Sequence, residues 1–129
     1  MIQLSLRPSS FIAGGFAAVE VRVHNAGEKV CRRVHIRLAS RGALVMRGTA
    51  VIEVPVLNPG QAHPHSIELY APQAGPCKMT AEDISFYAGR YLERLPIQEL
   101  HLQAVPAAPP QSLDLAVVLR RSGLRRTAW

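Results

Sequence analysis

Histidine, cysteine and methionine are the side chains of this sequence that could bind a metal ion. The chain has five histidines, two cysteines and three methionines in 129 residues. His63 and His65 form a close pair, and alternation along an extended segment places both imidazoles on one face. A blue-copper site needs a cysteine followed closely by histidine and methionine, and a structural zinc site needs paired ligands at short spacing. Neither spacing occurs, so we predict no metal site and no cofactor.

Catalytic motifs are missing as well. The sequence contains no Gly-x-Ser-x-Gly elbow, and Ser66 and its neighbour His65 point to opposite faces of a strand. The adjacent acidic residues Glu82 and Asp83 fit the solvated side of a bulge or a turn cap better than a catalytic pair. We therefore expect a protein that is not an enzyme.

Arginine is the residue type best placed for binding, since the formal net charge is +6. Arg22 on one predicted strand and Arg33, His35 and Arg37 on the next occupy outward positions. A hairpin would place all of them on one exposed face, which suits an acidic protein surface or phosphates. Only 5% of the residues are aromatic, which argues against base stacking. We predict another protein or a second copy as the partner, and nucleic acid as the alternative.

The end of the chain is a second candidate for binding. A Pro/Ala-rich linker at residues 106–111 leads into a basic amphipathic tail at residues 112–129, for which a short helix is favoured over an extra strand. Apolar anchors flanked by cations on a tether are typical of interaction tails, although a frayed end or a weak membrane anchor is the alternative. The candidate residues of the tail are Leu115, Leu119, Arg120, Arg121, Leu124, Arg125, Arg126 and Trp129.

Hydrophobicity in residues 1–105 alternates with the period of β-strands. Residues 19–24 and 33–38 each place apolar side chains on one face and polar ones on the other. The apolar parity changes near Glu82 and Asp83, which predicts a β-bulge or a strand switch there. Pro55 cannot donate to a ladder and therefore predicts an edge strand or a strand end. Seven or eight such strands indicate an all-β fold, an immunoglobulin-like antiparallel β-sandwich formed by residues 1–105.

Three turn segments resemble those of the immunoglobulin-like accessory modules of bacterial and archaeal proteins, of the cell-adhesion-related and α-galactosidase-associated type. They are Asn25-Ala26-Gly27, whose Asn and Gly suit positive φ in a tight turn, Leu57-Asn58-Pro59-Gly60, and Ala71-Pro72-Gln73-Ala74-Gly75. The resemblance spans about residues 15–95. It implies a non-catalytic spacer or binding module.

The compartment follows from the cysteines and the absence of a visible leader. No secretory signal precedes the first strand, so we expect a cytoplasmic protein with Cys31 and Cys77 reduced, and a disulfide between them is the alternative. No apolar run reaches the roughly 18 residues of a membrane span. The predicted function is a non-catalytic interaction or scaffolding module within a larger assembly, and the alternative is a nucleic-acid-associated subunit.

Overall fold

Alternating apolar residues build two stacked β-sheets from residues 1–107, the part of the chain that the computed structural model describes. The strands, in chain order, are β1 Ile2–Arg7, β2 Ser10–Ile12, β3 Ala17–Asn25, β4 Cys31–Ser40, β5 Val45–Arg47, β6 Val51–Leu57, β7 Ala62–Tyr70, β8 Gly75–Ala88, β9 Tyr91–Leu95 and β10 Gln98–Val105. The first sheet has the order β1-β3-β7-β5 and the second β2-β10-β8-β4-β6, with β9 paired to β8. The predicted all-β sandwich is confirmed. The short strands β2 and β5 were not predicted.

The core lies between the sheets. Val19, Val21 and Val23 of β3 are buried, and so are Val34 and Ile36 of β4. The polar residues between them are at least partly exposed, as the alternation predicted. Burial of these side chains is the main favourable contribution to folding.

Asn25, the last residue of β3, joins the two sheets through its side chain. It is 0% exposed. Its Nδ2 donates to the carbonyl oxygens of Lys29 at 2.8 Å and Leu57 at 2.9 Å. Its Oδ1 accepts a hydrogen bond from the N–H of Gly27 at 3.0 Å. Because Leu57 ends β6 in the second sheet, the amide ties the end of β3 to the opposite sheet.

The predicted hairpin between β3 and β4 is wrong, because the two strands lie in different sheets. Each strand buries one apolar face, and those faces meet across the core rather than side by side in one sheet. Asn25 and Gly27 do not have the positive φ expected of them. Gly27 is needed for another reason: a Cβ there would collide with the main-chain nitrogen of Met1.

Two β-bulges interrupt the pairing of β4 with β8. Between Arg32 and His35 the extra residue is in β4, and between His35 and Arg37 it is in β8. Arg33 and Asp83, the residues at these irregularities, have φ of 51°. The bulge predicted near Glu82 and Asp83 is confirmed, and the partner bulge in β4 was not foreseen.

Strands β9 and β10 follow one another along the same side of β8. A two-residue turn, Gly89-Arg90, connects the paired residues Ala88 and Tyr91, and Gly89 supplies its positive φ of 66°. β9 pairs with the end of β8 and β10 with its beginning, and the break between them falls at Pro96. Strand β6 lies at the edge of the second sheet, as Pro55 predicted.

Cys31 and Cys77 are both free thiols. Cys31 is paired with Ala88 at one end of β8, and Cys77 lies near the other end. At about 3.3 Å per residue they are roughly 36 Å apart along the strand, far beyond the roughly 7 Å that a disulfide bridges between Cα atoms. Burial raises the pKa of the Cys31 thiol, which keeps it protonated. Within residues 1–107 no helix has the length and apolar character to cross a bilayer.

Substitution of Asn25 by alanine tests the link between the sheets. Asn25→Ala leaves an N–H and two carbonyl groups without their side-chain partner, so we expect the free energy of unfolding to fall by about 3 kcal/mol. Urea unfolding measures the change. Asn58→Ala, at an exposed turn, is the matched control and should stay within about 0.5 kcal/mol of the parent. Equal stability of the two variants would contradict the assigned role.

Candidate interaction surface

The structure divides the predicted basic stripe between two faces of the molecule. Arg22 lies on the outer face of the first sheet, whereas Arg33, His35 and Arg37 lie on the outer face of the second. These faces point in opposite directions, because the core lies between the sheets. The expected single face carrying all four residues therefore does not exist.

Two of the four predicted residues lie close to single carboxylates. The Nε of Arg22 is 3.7 Å from an oxygen of Glu20 on the same strand. The Nδ1 of His35 is 3.6 Å from an oxygen of Glu53, its neighbour on β6. Both pairs are partly solvated, and such pairs contribute little to stability.

Arg37 lies between two consecutive carboxylates. Its Nη2 is 3.0 Å from Glu82 Oε1 and its Nη1 is 2.9 Å from Asp83 Oδ2. Arg41 Nη2 lies 2.7 Å from the other oxygen of Glu82, to which the hydroxyl of Thr80 donates at 3.0 Å. The bulge at Asp83 makes this possible, because it brings neighbouring carboxylates within reach of one guanidinium.

These contacts shift the pKa values of both partners toward their charged forms. Hydrogen bonds from Arg37 and Thr80, together with the charge of Arg41, lower the pKa of Glu82. The hydrogen bond with Glu82 and the charge of Asp83 raise the pKa of Arg37. The positive charge of Arg37 is thus compensated by carboxylates of its own domain, and in this sense Arg37 is neutralised. It therefore does not contribute to the predicted cationic patch.

The bulge in β4 has the opposite effect on charge. Cys31 and Val34 are buried, and the two residues between them, Arg32 and Arg33, are both exposed. Neither arginine takes part in an ion pair among residues 1–107, and neither does Arg94 of β9. Of these three free arginines, alternation alone selected only Arg33.

The strand register places Arg32 beside aromatic and aliphatic side chains. Arg32 is paired with Val56 of β6 on one side and with Tyr87 of β8 on the other. Tyr87 is in turn paired with Leu92 of β9, and side chains at directly paired positions are neighbours on one face. We call this surface the Arg32 face, defined as Arg32, Arg33, Val56, Tyr87, Leu92 and Arg94.

A shallow groove borders the Arg32 face at β6. Its volume is about 540 Å³, and its lining residues are Arg33, Val34, His35, Glu53, Val54 and Pro55. Arg33 and Pro55 form no pair in the β4–β6 ladder. This gap lies beside Arg33, the bulged residue of β4.

Sequence reasoning missed Arg32, Tyr87, Leu92 and Arg94 as surface neighbours. One signal for Arg32 was present: strict alternation from Val34 places one of the adjacent arginines inside the core, and an unpaired buried charge is too costly. The proximity of Tyr87 depends on the register between β4 and β8, for which the sequence holds no local signal.

The predicted tail residues Leu115, Leu119, Arg120, Arg121, Leu124, Arg125, Arg126 and Trp129 lie outside the described residues. Among residues 1–107 no group of three or more His, Cys, Asp or Glu side chains is arranged to hold a metal ion. His65 Nε2 lies 2.7 Å from the carbonyl oxygen of Thr49.

Comparisons with known proteins identify the fold. No protein-family model matches the chain, and no curated protein matches it. A crystal structure of native α2-macroglobulin from Escherichia coli, spanning domain MG7 to the C-terminus, matches 84% of this chain with a TM-score of 0.62 and 21% identity, over 17% of that chain. A cryo-EM reconstruction of the native E. coli protein matches 84% of this chain with a TM-score of 0.59 and 20% identity, over 7% of that chain. WR4, an MSP family member of C. elegans, matches 79% of this chain and 97% of its own, with a TM-score of 0.51 and 7% identity.

The chain has an immunoglobulin-like β-sandwich fold. At these identities the similarity shows the fold and nothing finer. The immunoglobulin-like domain described here spans 17% and 7% of the two α2-macroglobulin chains, which is a small part of each. The resemblance seen in the turns is confirmed as a fold, and the adhesion-related or α-galactosidase-associated type stays a prediction.

The lowered pKa of Glu82 predicts a specific loss of stability in acid. Ionised Glu82 stabilises the folded state above its ordinary pKa of 4.5, and this contribution is lost as the pH falls through the lower folded-state value. We expect Glu82→Gln to be less stable than the parent at neutral pH and to lose less stability between neutral pH and acid. Urea unfolding at a series of pH values measures this. Glu93→Gln, on exposed β9, is the control; a parent-like acid profile for Glu82→Gln would contradict the prediction.

Proposed function

We propose that this immunoglobulin-like domain is a non-catalytic protein-interaction module of a larger assembly, and that its Arg32 face binds an acidic surface on a partner protein. The observation that carries the proposal is the contrast between Arg37, which is neutralised by Glu82 and Asp83, and Arg32, Arg33 and Arg94, which have no carboxylate partner in residues 1–107.

The composition of the face supports a protein partner. Arginine and tyrosine are enriched among the residues that contribute most to protein–protein affinity. Leu92 is 44% exposed and Val56 40%, so apolar area is available beside the cations. A mixture of apolar contact and charge complementarity supports affinity through burial and specificity through charge.

The comparisons support a modular arrangement. The similar region of α2-macroglobulin is a small fraction of a long chain, as is expected when such a domain works as one module among several. The free thiols Cys31 and Cys77 support the proposed cytoplasmic location. An adhesion-related accessory role belongs to the same class of module.

Nucleic acid is the second candidate, and one observation favours it. Tyr87 lies beside Arg32, so the face has the aromatic side chain among cations that stacking on a base requires. Against it, Arg22 is on the other sheet and Arg37 is paired with two carboxylates, so two of the arginines predicted to contact phosphates are not available on this face.

Charge reversal on the Arg32 face tests both candidates. We expect Arg32→Glu/Arg33→Glu to abolish capture of a protein that the parent binds, since two attractive charges become repulsive. The charge-matched control is Arg7→Glu/Arg22→Glu on the first sheet, which should capture the same protein as the parent. Quantitative mass spectrometry of the captured material measures this.

Salt titration then separates the candidates. A partner-free assay with single-stranded and duplex DNA at low salt should show no binding if the partner is a protein. Binding that falls steeply with increasing salt would instead favour nucleic acid.

We further propose that the basic tail, residues 112–129, strengthens partner binding and is not part of the folded core. The hydrophobic core described by the structure is formed by residues 2–104. Deleting residues 108–129 should change the free energy of unfolding by less than about 0.5 kcal/mol and weaken capture of the partner. Loss of cooperative urea unfolding in the deletion variant would show instead that the tail belongs to the core.

A further inference from the structure

Strand β9 is paired on one side only. β8 lies along one of its edges, and within residues 1–107 no strand lies along the other. β2 joins this side of the second sheet only farther along, opposite Gln103, Ala104 and Val105. An unpaired strand edge presents a row of main-chain donors and acceptors to which another extended chain can bind.

The direction of the free N–H groups follows from the neighbouring strand β10. Gln103, whose side chain lies on the outer face, donates its N–H to the carbonyl of Ser9 at 2.9 Å, away from β8. In a strand of L-residues, the face that a side chain occupies and the direction of its N–H are coupled, since both alternate together. Leu92 and Arg94 share the outer face and the strand direction of Gln103, so their N–H and C=O groups point to the free edge.

Exposed apolar side chains flank this edge, beside the charged residues Glu93 and Arg94 of β9. Tyr91 is 71% exposed and Ile97 61%. Native edges are commonly blocked by proline or lysine, and Pro55 is such a proline on the edge strand β6. In β9 no proline lies between Tyr91 and Leu95, and Pro96 follows its last residue.

We propose that β9 accepts an extended segment of the partner protein as an additional antiparallel strand. The proposal rests on the proposed function, because Leu92 and Arg94 belong to the Arg32 face. Cross-strand complementarity selects the segment: an acidic residue opposite Arg94, a basic residue opposite Glu93, and apolar residues opposite Tyr91, Leu92 and Leu95. In the direction of the added strand the order is apolar, acidic, basic, apolar, apolar.

A second copy of β9 fits this edge less well. Two-fold antiparallel pairing centred on Glu93 or on Arg94 sets like charges directly opposite one another. Pairing centred on Leu92 sets Arg90 opposite Arg94. Charge complementarity therefore favours a segment of different sequence.

The test uses the full chain and a short synthetic peptide with the core Val-Glu-Lys-Val-Tyr, and fluorescence anisotropy measures its affinity. Leu92→Pro removes an N–H that points to the free edge and leaves the β8–β9 hydrogen bonds in place. Leu92→Ala is the matched control for the lost side chain. We expect Leu92→Pro to bind the peptide at least about tenfold more weakly than Leu92→Ala, because the edge hydrogen bonds are lost.

A charge exchange provides the second measurement. It also tests strand addition if Leu92→Pro fails to fold. The parent should bind the peptide with the core Val-Lys-Lys-Val-Tyr about tenfold more weakly than the original, and Arg94→Glu should reverse this preference.

Equal affinity of Leu92→Pro and Leu92→Ala, or an unchanged preference in Arg94→Glu, would overturn strand addition. If strand addition is overturned and Arg32→Glu/Arg33→Glu still fails to capture the partner, the proposed function stands without strand addition.

A rise of about tenfold in peptide affinity on deletion of residues 108–129 would assign the edge to this chain's own tail. Self-association of the parent that Leu92→Pro abolishes would assign it to a second copy, and either result would overturn the partner assignment.

Discussion

The pairing of β4 with β8 at the centre of the second sheet determines where the charges of this domain lie. Each strand carries one extra residue, and the second irregularity restores the register that the first one shifts. Between these points, side chains leave the faces that regular alternation would give them. A non-glycine residue with positive φ is tolerated at each bulge, Arg33 in one strand and Asp83 in the other, because the surrounding ladder holds the backbone there.

The two bulges have opposite electrostatic consequences on the same face. The one in β8 brings Glu82 and Asp83 together on Arg37, and Glu82 also binds Arg41. The one in β4 exposes Arg32 and Arg33 together at a point where residues 1–107 provide no carboxylate partner. The outer face is thus divided into a neutralised part and a cationic part, and the cationic part adjoins Tyr87, Leu92 and the open edge of β9. Net charge alone says nothing of this division.

The sandwich also depends on Asn25, the last residue of β3. Its side chain satisfies main-chain groups of the β3–β4 connection and of β6. Its own N–H donates to Gln61 at 3.0 Å, and its carbonyl accepts from Gly60 at 2.8 Å. A chain that crosses from one sheet to the other must bury polar backbone, and an amide that both donates and accepts can satisfy it. Asn25 thus stabilises the crossing of the chain from β3 in the first sheet to β4 in the second.

Local sequence patterns were enough to predict the longer strands, their buried faces, the edge position of β6 and the bulge near Asp83. All of these follow from period-two alternation, from proline, or from a change of parity within one strand, which are local properties. The folded molecule alone shows that β3 and β4 belong to different sheets, that Arg37 is paired with carboxylates, and that Arg32 lies between Val56 and Tyr87. Those outcomes depend on which strands pair and in which register, and pairing is fixed by packing between residues far apart in the chain.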